Sequence, residues 1–296
     1  MYDICCIGHI TLDKVVTPQQ TSFMPGGTSF YFSNAICNLD AQYLLITAVA
    51  ESELKFVEDL RQKGLIVSVF PSKHTVHFEN IYPGNSDHRI QKVSQKADPF
   101  TVEQLDSVKA KIFHLGPLLA DDFSTDTIKK IAANGVVSLD VQGFLRKVEN
   151  GNVVPVDWQD KKEALQYVTI LKANEHEMEV LTGCSKIREG SKILYDWGVK
   201  EVVITLGSKG SVLYNGETFY KIPAYLPSTI TDATGCGDTY MAGYLYERVK
   251  GQSMEDAGNF AAAMATIKIQ HSGPFTGTSA DVLSLMNEHK VFVLPD

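Results

Sequence analysis

Residues 229–243 read TITDATGCGDTYMAG. Two aspartates, Asp232 and Asp238, bracket a turn in which Gly235 and Gly237 flank Cys236. Glycine reaches backbone angles closed to other residues and lets a ligand approach the main chain. Beyond the turn, Met241, Tyr244, Leu245 and Val249 lie on one face of a helix. The amides of Gly235, Cys236, Gly237 and Asp238 are then expected to point outward without intrahelical partners. Together with the helix dipole they make an anion site suited to phosphate. A carboxylate beside such a site repels the anion unless it has a task. Accepting the proton of a hydroxyl that attacks phosphorus is one such task. The other reading makes Asp238 a first-turn aspartate complementing the dipole, with Asp232 a turn residue. The stretch matches neither GxxxxGK[ST] nor GxGxxG, so neither a P-loop nor a dinucleotide fingerprint is supported.

Upstream, short apolar runs alternate with stretches of helical period. Strands are predicted at Ile4–Ile10, Gln42–Val49, Leu65–Phe70, Ile112–Leu118, Val136–Val141, Thr169–Lys172 and Val202–Leu206. Most are almost continuously apolar, the pattern of strands buried on both faces. Between them, Thr101 and Gln104 form a capping box ahead of EQLDSVKAK, and Gly135 ends a helix after IKKIAAN. Helical patterns also cover 158–168 and 186–198, Ser253 caps EDAGNFAAAMATIKIQ, and a last helix runs near Ser279–His289. The alternation predicts an α/β fold: a doubly wound, mostly parallel sheet with helices on both faces. Asn215-Gly216 predicts a hairpin at the sheet edge. Residues 11–24 and 75–93 look extended and break the rhythm. They are expected to pair as a small β lid over the carboxyl ends of the strands, within one unit spanning residues 1–296.

With 296 residues and 44% hydrophobic content the chain can bury one large core. The formal net charge of -8, with no basic stripe, argues against nucleic acid. No apolar run reaches the roughly 18 residues that span a bilayer. The opening MYDICCIGHI lacks the basic and apolar regions of a secretory signal, so neither membrane nor export is expected. The five cysteines include no CxxC pair, which points to a reducing, cytoplasmic setting and to no zinc site. Cys5-Cys6, His9 and His114 sit in strand patterns and read as buried core groups.

Two more elements follow predicted strands. VVITLGSKG (202–210) places Thr205, Gly207 and Gly210 where ligands bind in open α/β sheets, beyond the carboxyl ends. KANEHEMEVL (172–181) places Asn174 and Glu177 three apart at a helix start, facing the same way. Such a pair suits Mg²⁺ held through water. It equally suits an N-cap with its capping-box partner, and the two roles are compatible.

Taken together, these pieces resemble the PfkB (ribokinase-like) family of carbohydrate kinases. Asp232-Ala-Thr-Gly-Cys-Gly-Asp238 resembles the family's DTxGAGD, Asn174…Glu177 its NxxE, and Thr205-Leu-Gly-Ser-Lys-Gly210 its TxGxxG. Pro25-Gly26-Gly27 resembles the di-glycine motif, and Gly8…Asp13 the first strand with its acceptor-binding aspartate. The resemblance spans about residues 3–290 in order and spacing. It implies a ribokinase-like fold and a kinase using ATP and Mg²⁺, with Asp238 as general base. It further implies that the amides of Gly235, Cys236 and Gly237 steady the moving phosphoryl group. Thr205, Gly207 and Gly210 would contact nucleotide phosphates, with Asn174 and Asp232 also on the cofactor side and Glu177 supporting the metal. Asp13, Gly26 and Gly27 would touch the acceptor. A potassium-type ion is implied near Thr229–Asp232 and the His271–Gly273 region.

Departures from the family pattern bear on the acceptor. Alanine between the glycines becomes Cys236, and threonine after Asp232 becomes Ala233. Many sugar kinases read GGxxxN, but Tyr31 stands there and the asparagine, expected with Gln142 and Arg146 among the acceptor-binding residues, follows at Asn34. GGTSFYFSN is more similar to GGxxSFxSN of the inositol-kinase branch. In LDVQGFLR (139–146), Gln142 and Arg146 lie on the side where a polyol would dock. An inositol-type polyol is the favoured partner. Ribose, a fructose phosphate (with Arg89 and Lys92 at hand) and a nucleoside clamped by Phe30, Tyr31 or Phe32 stay open, as does a non-catalytic relative. The lid is also a candidate surface for a homodimer.

Overall fold

The computed structural model describes residues 1–82, 90–288 and 291–292. Residues 83–89 of the second expected lid segment, with Arg89, and His289 lie outside the described residues. The main sheet has nine strands. Its order is Phe219–Ile222, Ser211–Tyr214, Glu201–Thr205, Ile170–Asn174, Val136–Asp140, Ala110–Leu115, Tyr2–Ile7, Tyr43–Val49, Ile66–Pro71. The last seven of these run parallel, and the hairpin 211–222 adds two antiparallel strands at the edge, where Asn215-Gly216 predicts it. Each sequence-predicted strand is present, with ends moved by a few residues.

Helices cover both faces, and the first strand shows why its run is continuously apolar. Ile4 and Cys6 face one layer, with helices Thr28–Ile36, Cys236–Val249 and Met254–Ile269. Cys5 and Ile7 face the other, with helices Thr125–Ala132, Glu175–Thr182 and Ile187–Asp196. Alternate side chains of a strand point to opposite faces, so both must be apolar here. The adjacent thiols Cys5 and Cys6 are fully buried in opposite layers. His9 and His114 are also fully buried; His114 stacks on Phe32 and pairs with the Ser138 hydroxyl at 3.1 Å.

Strand order reverses at Tyr2–Ile7: later strands are added first on one side, then on the other. At such a switch point the connections diverge and leave a crevice beyond the carboxyl ends. Glycine lines it. A Cβ at Gly8 would lie 2.8 Å from the Gly116 carbonyl oxygen, and one at Gly116 would lie 2.5 Å from a Thr28 methyl. Helix Thr28–Ile36 can therefore start directly on the strand ends.

The lid is larger than its two expected segments. It has six strands, in the order Arg146–Glu149, Asn152–Pro155, Ile90–Gln95, Val76–Ile81, Thr11–Val16, Thr21–Gly26. The hairpin at 146–155 was not anticipated, although Asn150-Gly151 signals it. Both residues take positive φ (51° and 77°), as a two-residue hairpin turn demands. The lid buries Val76, Phe78 and Val93 against Leu118 and Leu119, which follow the strand end at Leu115.

Gly210 tests how tightly the edge hairpin is set. It holds φ 86° and ψ -134°, and a Cβ would fall 2.1 Å from the Ile222 carbonyl oxygen. Gly210→Ala is expected to lower stability by roughly 1–3 kcal/mol. Urea denaturation checks this, with Gly207→Ala, also at positive φ (59°) but with no atom within 4 Å, separating the steric clash from backbone strain.

Candidate active site

Helix Cys236–Val249 begins at the switch point, with Gly235 as its N-cap at φ 77°. Only glycine fits: a Cβ there would lie 2.2 Å from the Tyr31 ring. Among the described residues, the amides of Gly235, Gly237 and Asp238 have no acceptor. The expectation for Cys236 needs correction. Its amide donates to the Ala233 carbonyl at 3.2 Å, closing the turn, while its thiol reaches the Ala265 carbonyl. Burial pushes that thiol up to about 11, so it is an inert packing group.

Asp238 is half-buried in the first turn of the helix. Desolvation, and then the charge of Asp140, push its carboxyl up to about 7, against the opposing pull of Lys172, a Thr28 hydrogen bond and Arg146. The sequence did not single out Lys172. Its ammonium is buried, donates to Asp140 at 2.8 Å, and lies 3.3 Å from where a Cβ of Gly237 would sit. Burial opposes both charges of the pair, but their attraction prevails: Asp140 is held below the usual carboxylate range and Lys172 above the usual lysine range. Asp140 also accepts from the Gln142 amide at 3.1 Å. A charged residue inside the apolar run ILKAN was the available signal, because lysine is buried only with a partner.

The donor side lies on adjacent strand ends, where Asn174 and Thr205 are direct neighbours. Asn174 and Glu177 form a complete capping box: each side chain accepts from the other's amide at 2.8 Å. One Glu177 oxygen is thereby occupied. Among the described residues no cluster of three or more metal-ligating side chains exists. The pair offers no protein-built cage; a magnesium ion there would have to keep its waters and lean mainly on donor phosphates. The Thr205 hydroxyl makes a long bond of 3.5 Å to the Ala173 carbonyl. Gly207 is open, and Gly210 serves the hairpin.

Of the residues expected to touch the acceptor, Asp13 and Gly26 come together on the paired strands Thr11–Val16 and Thr21–Gly26, while Gly27 faces the His9 carbonyl. Thr11 donates to Asp13 at 2.6 Å, and a Cβ on Gly26 would meet the same carboxylate at 2.6 Å. Asn34 does not join them, which corrects the expectation. Its amide oxygen accepts from Lys63 at 2.5 Å and its NH₂ donates to the Phe30 carbonyl, so it ties its helix to the next. Burial, then the charges of Asp232, Asp13 and Asp238, raise the Tyr31 phenol. Phe32 is a core residue stacked on His114, so it is no base clamp. Arg146 acts on Asp238 electrostatically from the start of the unexpected hairpin, and Gln142 lies in the turn before it.

The family model for "pfkB family carbohydrate kinase" matches residues 1–281. The chain belongs to that family. The kinase is 28% identical over 269 residues to a cytidine kinase of Thermococcus kodakarensis, covering 86% of this chain and 92% of that protein. It is similar, at 30% identity and TM-score 0.86, to a pyrophosphate-dependent kinase of the ribokinase family solved with a pyrophosphate analogue and myo-inositol. That match covers 95% of this chain and 99% of the other. Arabidopsis thaliana ribokinase with ribose and ATP shares the fold, at TM-score 0.79 and 21% identity, over 96% and 98% of the two chains. Among the described residues no helix is long and apolar enough to cross a membrane.

A carboxylate raised from 3.8 to about 7 weakens the fold as it ionises. Its cost is absent below the unfolded value near 4, grows as pH rises, and is complete above about 7. Asp238→Asn is therefore expected to raise the melting temperature over wild type at pH 8 and hardly at pH 4. Thermal scans at both values measure this.

Proposed function

We propose that this kinase transfers the γ-phosphoryl group of Mg²⁺-bound ATP to a hydroxyl of a small polyol, with an inositol-type acceptor. One observation carries the reading: a carboxylate raised toward neutrality at a helix N-terminus where the amides of Gly235, Gly237 and Asp238 have no acceptor among the described residues. A general base works best when its pKa lies near the working pH. Asp238 takes the acceptor's proton. The amides of Gly235 and Gly237, with the Lys172 ammonium beneath, meet the negative charge spread over the phosphoryl oxygens. Asp13 and Tyr31 orient the acceptor, and Gln142 and Arg146 face it from the turn and hairpin at 141–149. Asn174 and Glu177 would hold hydrated Mg²⁺, which neutralises the donor phosphates when bound. The GGTSFYFSN helix and the likeness to a structure solved with myo-inositol support the acceptor class.

A second reading changes only the donor. The similarity to pyrophosphate-dependent kinases of the ribokinase family favours it, one of them at 29% identity over 95% of this chain. Product-release assays with ATP or pyrophosphate, each against myo-inositol, ribose, fructose phosphates and nucleosides, decide both points. ATP with myo-inositol is the expected pair; activity confined to nucleosides, in line with the cytidine kinase relative, overturns the acceptor.

Asp238→Asn is expected to lower turnover by about 10²–10⁴ while leaving donor binding in place. Wild-type rates from the variant refute the base assignment. Excess EDTA is expected to abolish turnover; undiminished activity removes the role given to Glu177.

A further inference from the structure

The turn that precedes the anion site hangs from the end of helix Met254–Ile269. The amides of Thr231 and Asp232 both donate to the Ile269 carbonyl, and the Thr231 hydroxyl donates to the Gln270 carbonyl. These bonds take up carbonyls that a helix leaves unpaired at its C-terminus. Inside the same knot lies Lys268, with a side chain that has no exposed surface. Its ammonium donates to the Asp232 backbone carbonyl at 2.7 Å and lies 3.3 Å from an oxygen of the Asp232 carboxylate. The other carboxylate oxygen accepts from the Thr234 amide at 2.9 Å, and the Gly273 amide approaches Asp232 at 3.4 Å.

This is where the family resemblance implies a potassium-type ion. The donor set does not fit one. A monovalent cation there needs the carbonyl and carboxylate oxygens of Asp232, and a fixed ammonium already holds both. Two full positive charges around the same two oxygens repel each other, and the Lys268 ammonium, with no exposed surface, cannot swing away into water. Helix geometry explains the placement. Lys268 sits in the last turn, where a cation also complements the helix dipole.

We propose that the Lys268 ammonium is the built-in cation of the anion-site turn, so that this kinase works without a bound monovalent ion. Lys268 is a positioning residue. It touches neither donor nor acceptor, and it acts by fixing Asp232 and the Thr234–Gly235 turn from which the free amides start. The inference rests on the kinase reading of the site, so it is tested by two independent readouts.

The first is melting temperature in K⁺, Na⁺ or tetramethylammonium chloride at equal ionic strength, which needs no knowledge of the substrates. Wild type is expected to melt at the same temperature in all three, while Lys268→Ala, with the ammonium's place vacated, is expected to melt higher in K⁺. A K⁺-specific rise in wild type overturns the proposal. The second is turnover in the same salts with Mg²⁺ constant. Wild type is expected to be indifferent to the salt. Lys268→Ala is expected to lose about 10²-fold, the cost of misplacing an anion-hole donor, and to recover in part with K⁺. Lys268→Arg is expected to retain more activity than Lys268→Ala in tetramethylammonium. Potassium activation of wild type, or full activity of Lys268→Ala without potassium, overturns it. A chain inactive with every donor and acceptor refutes the kinase reading instead, while the melting data still judge Lys268.

Discussion

The structure turns on one half-buried carboxylate held against a helix N-terminus. Asp238 gains from the dipole of its helix but loses water and faces Asp140. The balance leaves it near neutrality, where it can take a proton and later give it up. Everything around it preserves that balance. Tyr31 packs on Gly235 and sets the helix start. Thr28 donates to the carboxylate from a helix that begins on two glycine strand ends. A side chain at Gly8 or Gly116 would push those parts apart.

Two buried lysines supply the positive charge. Lys172 comes from the middle of the sheet and faces the anion site from below. Lys268 comes from the helix behind and faces the turn. Each is matched to one aspartate, Asp140 or Asp232, as buried charges must be. The two pairs differ in consequence. The first adjusts the ionisation of Asp238, whereas the second sets the backbone that aims the amides. The swap of alanine for Cys236 fits the same frame, because its thiol turns inward to a helix carbonyl and leaves the mouth of the site clear.

In the proposed reading, the residues that meet the acceptor are divided between the main layer and the small sheet. Asp13 belongs to the lid, Tyr31 to the helix beneath it, and Arg146 to a lid hairpin that grows from the turn after Asp140. In the proposed reading, the small sheet and the acceptor residues are joined by short covalent links, as suits a site that closes over its substrate.

The sequence alone determined the layered α/β fold, because continuously apolar strand runs and helical period are local properties of the chain. It also located the glycine turn, Asp238, the Asn174–Glu177 box and the Gly210 hairpin, each a short motif whose chemistry needs adjacent residues. Tertiary structure alone decided which polar groups meet. Lys172 and Asp140 are 32 residues apart, and Lys268 and Asp232 are 36 apart. Local pattern could not tell that Asn34 turns to Lys63 while Tyr31 lies within the field of Asp232, Asp13 and Asp238. The ionisation of Asp238 likewise depends on burial and on charges brought from other strands, so it exists only once the sheet has formed.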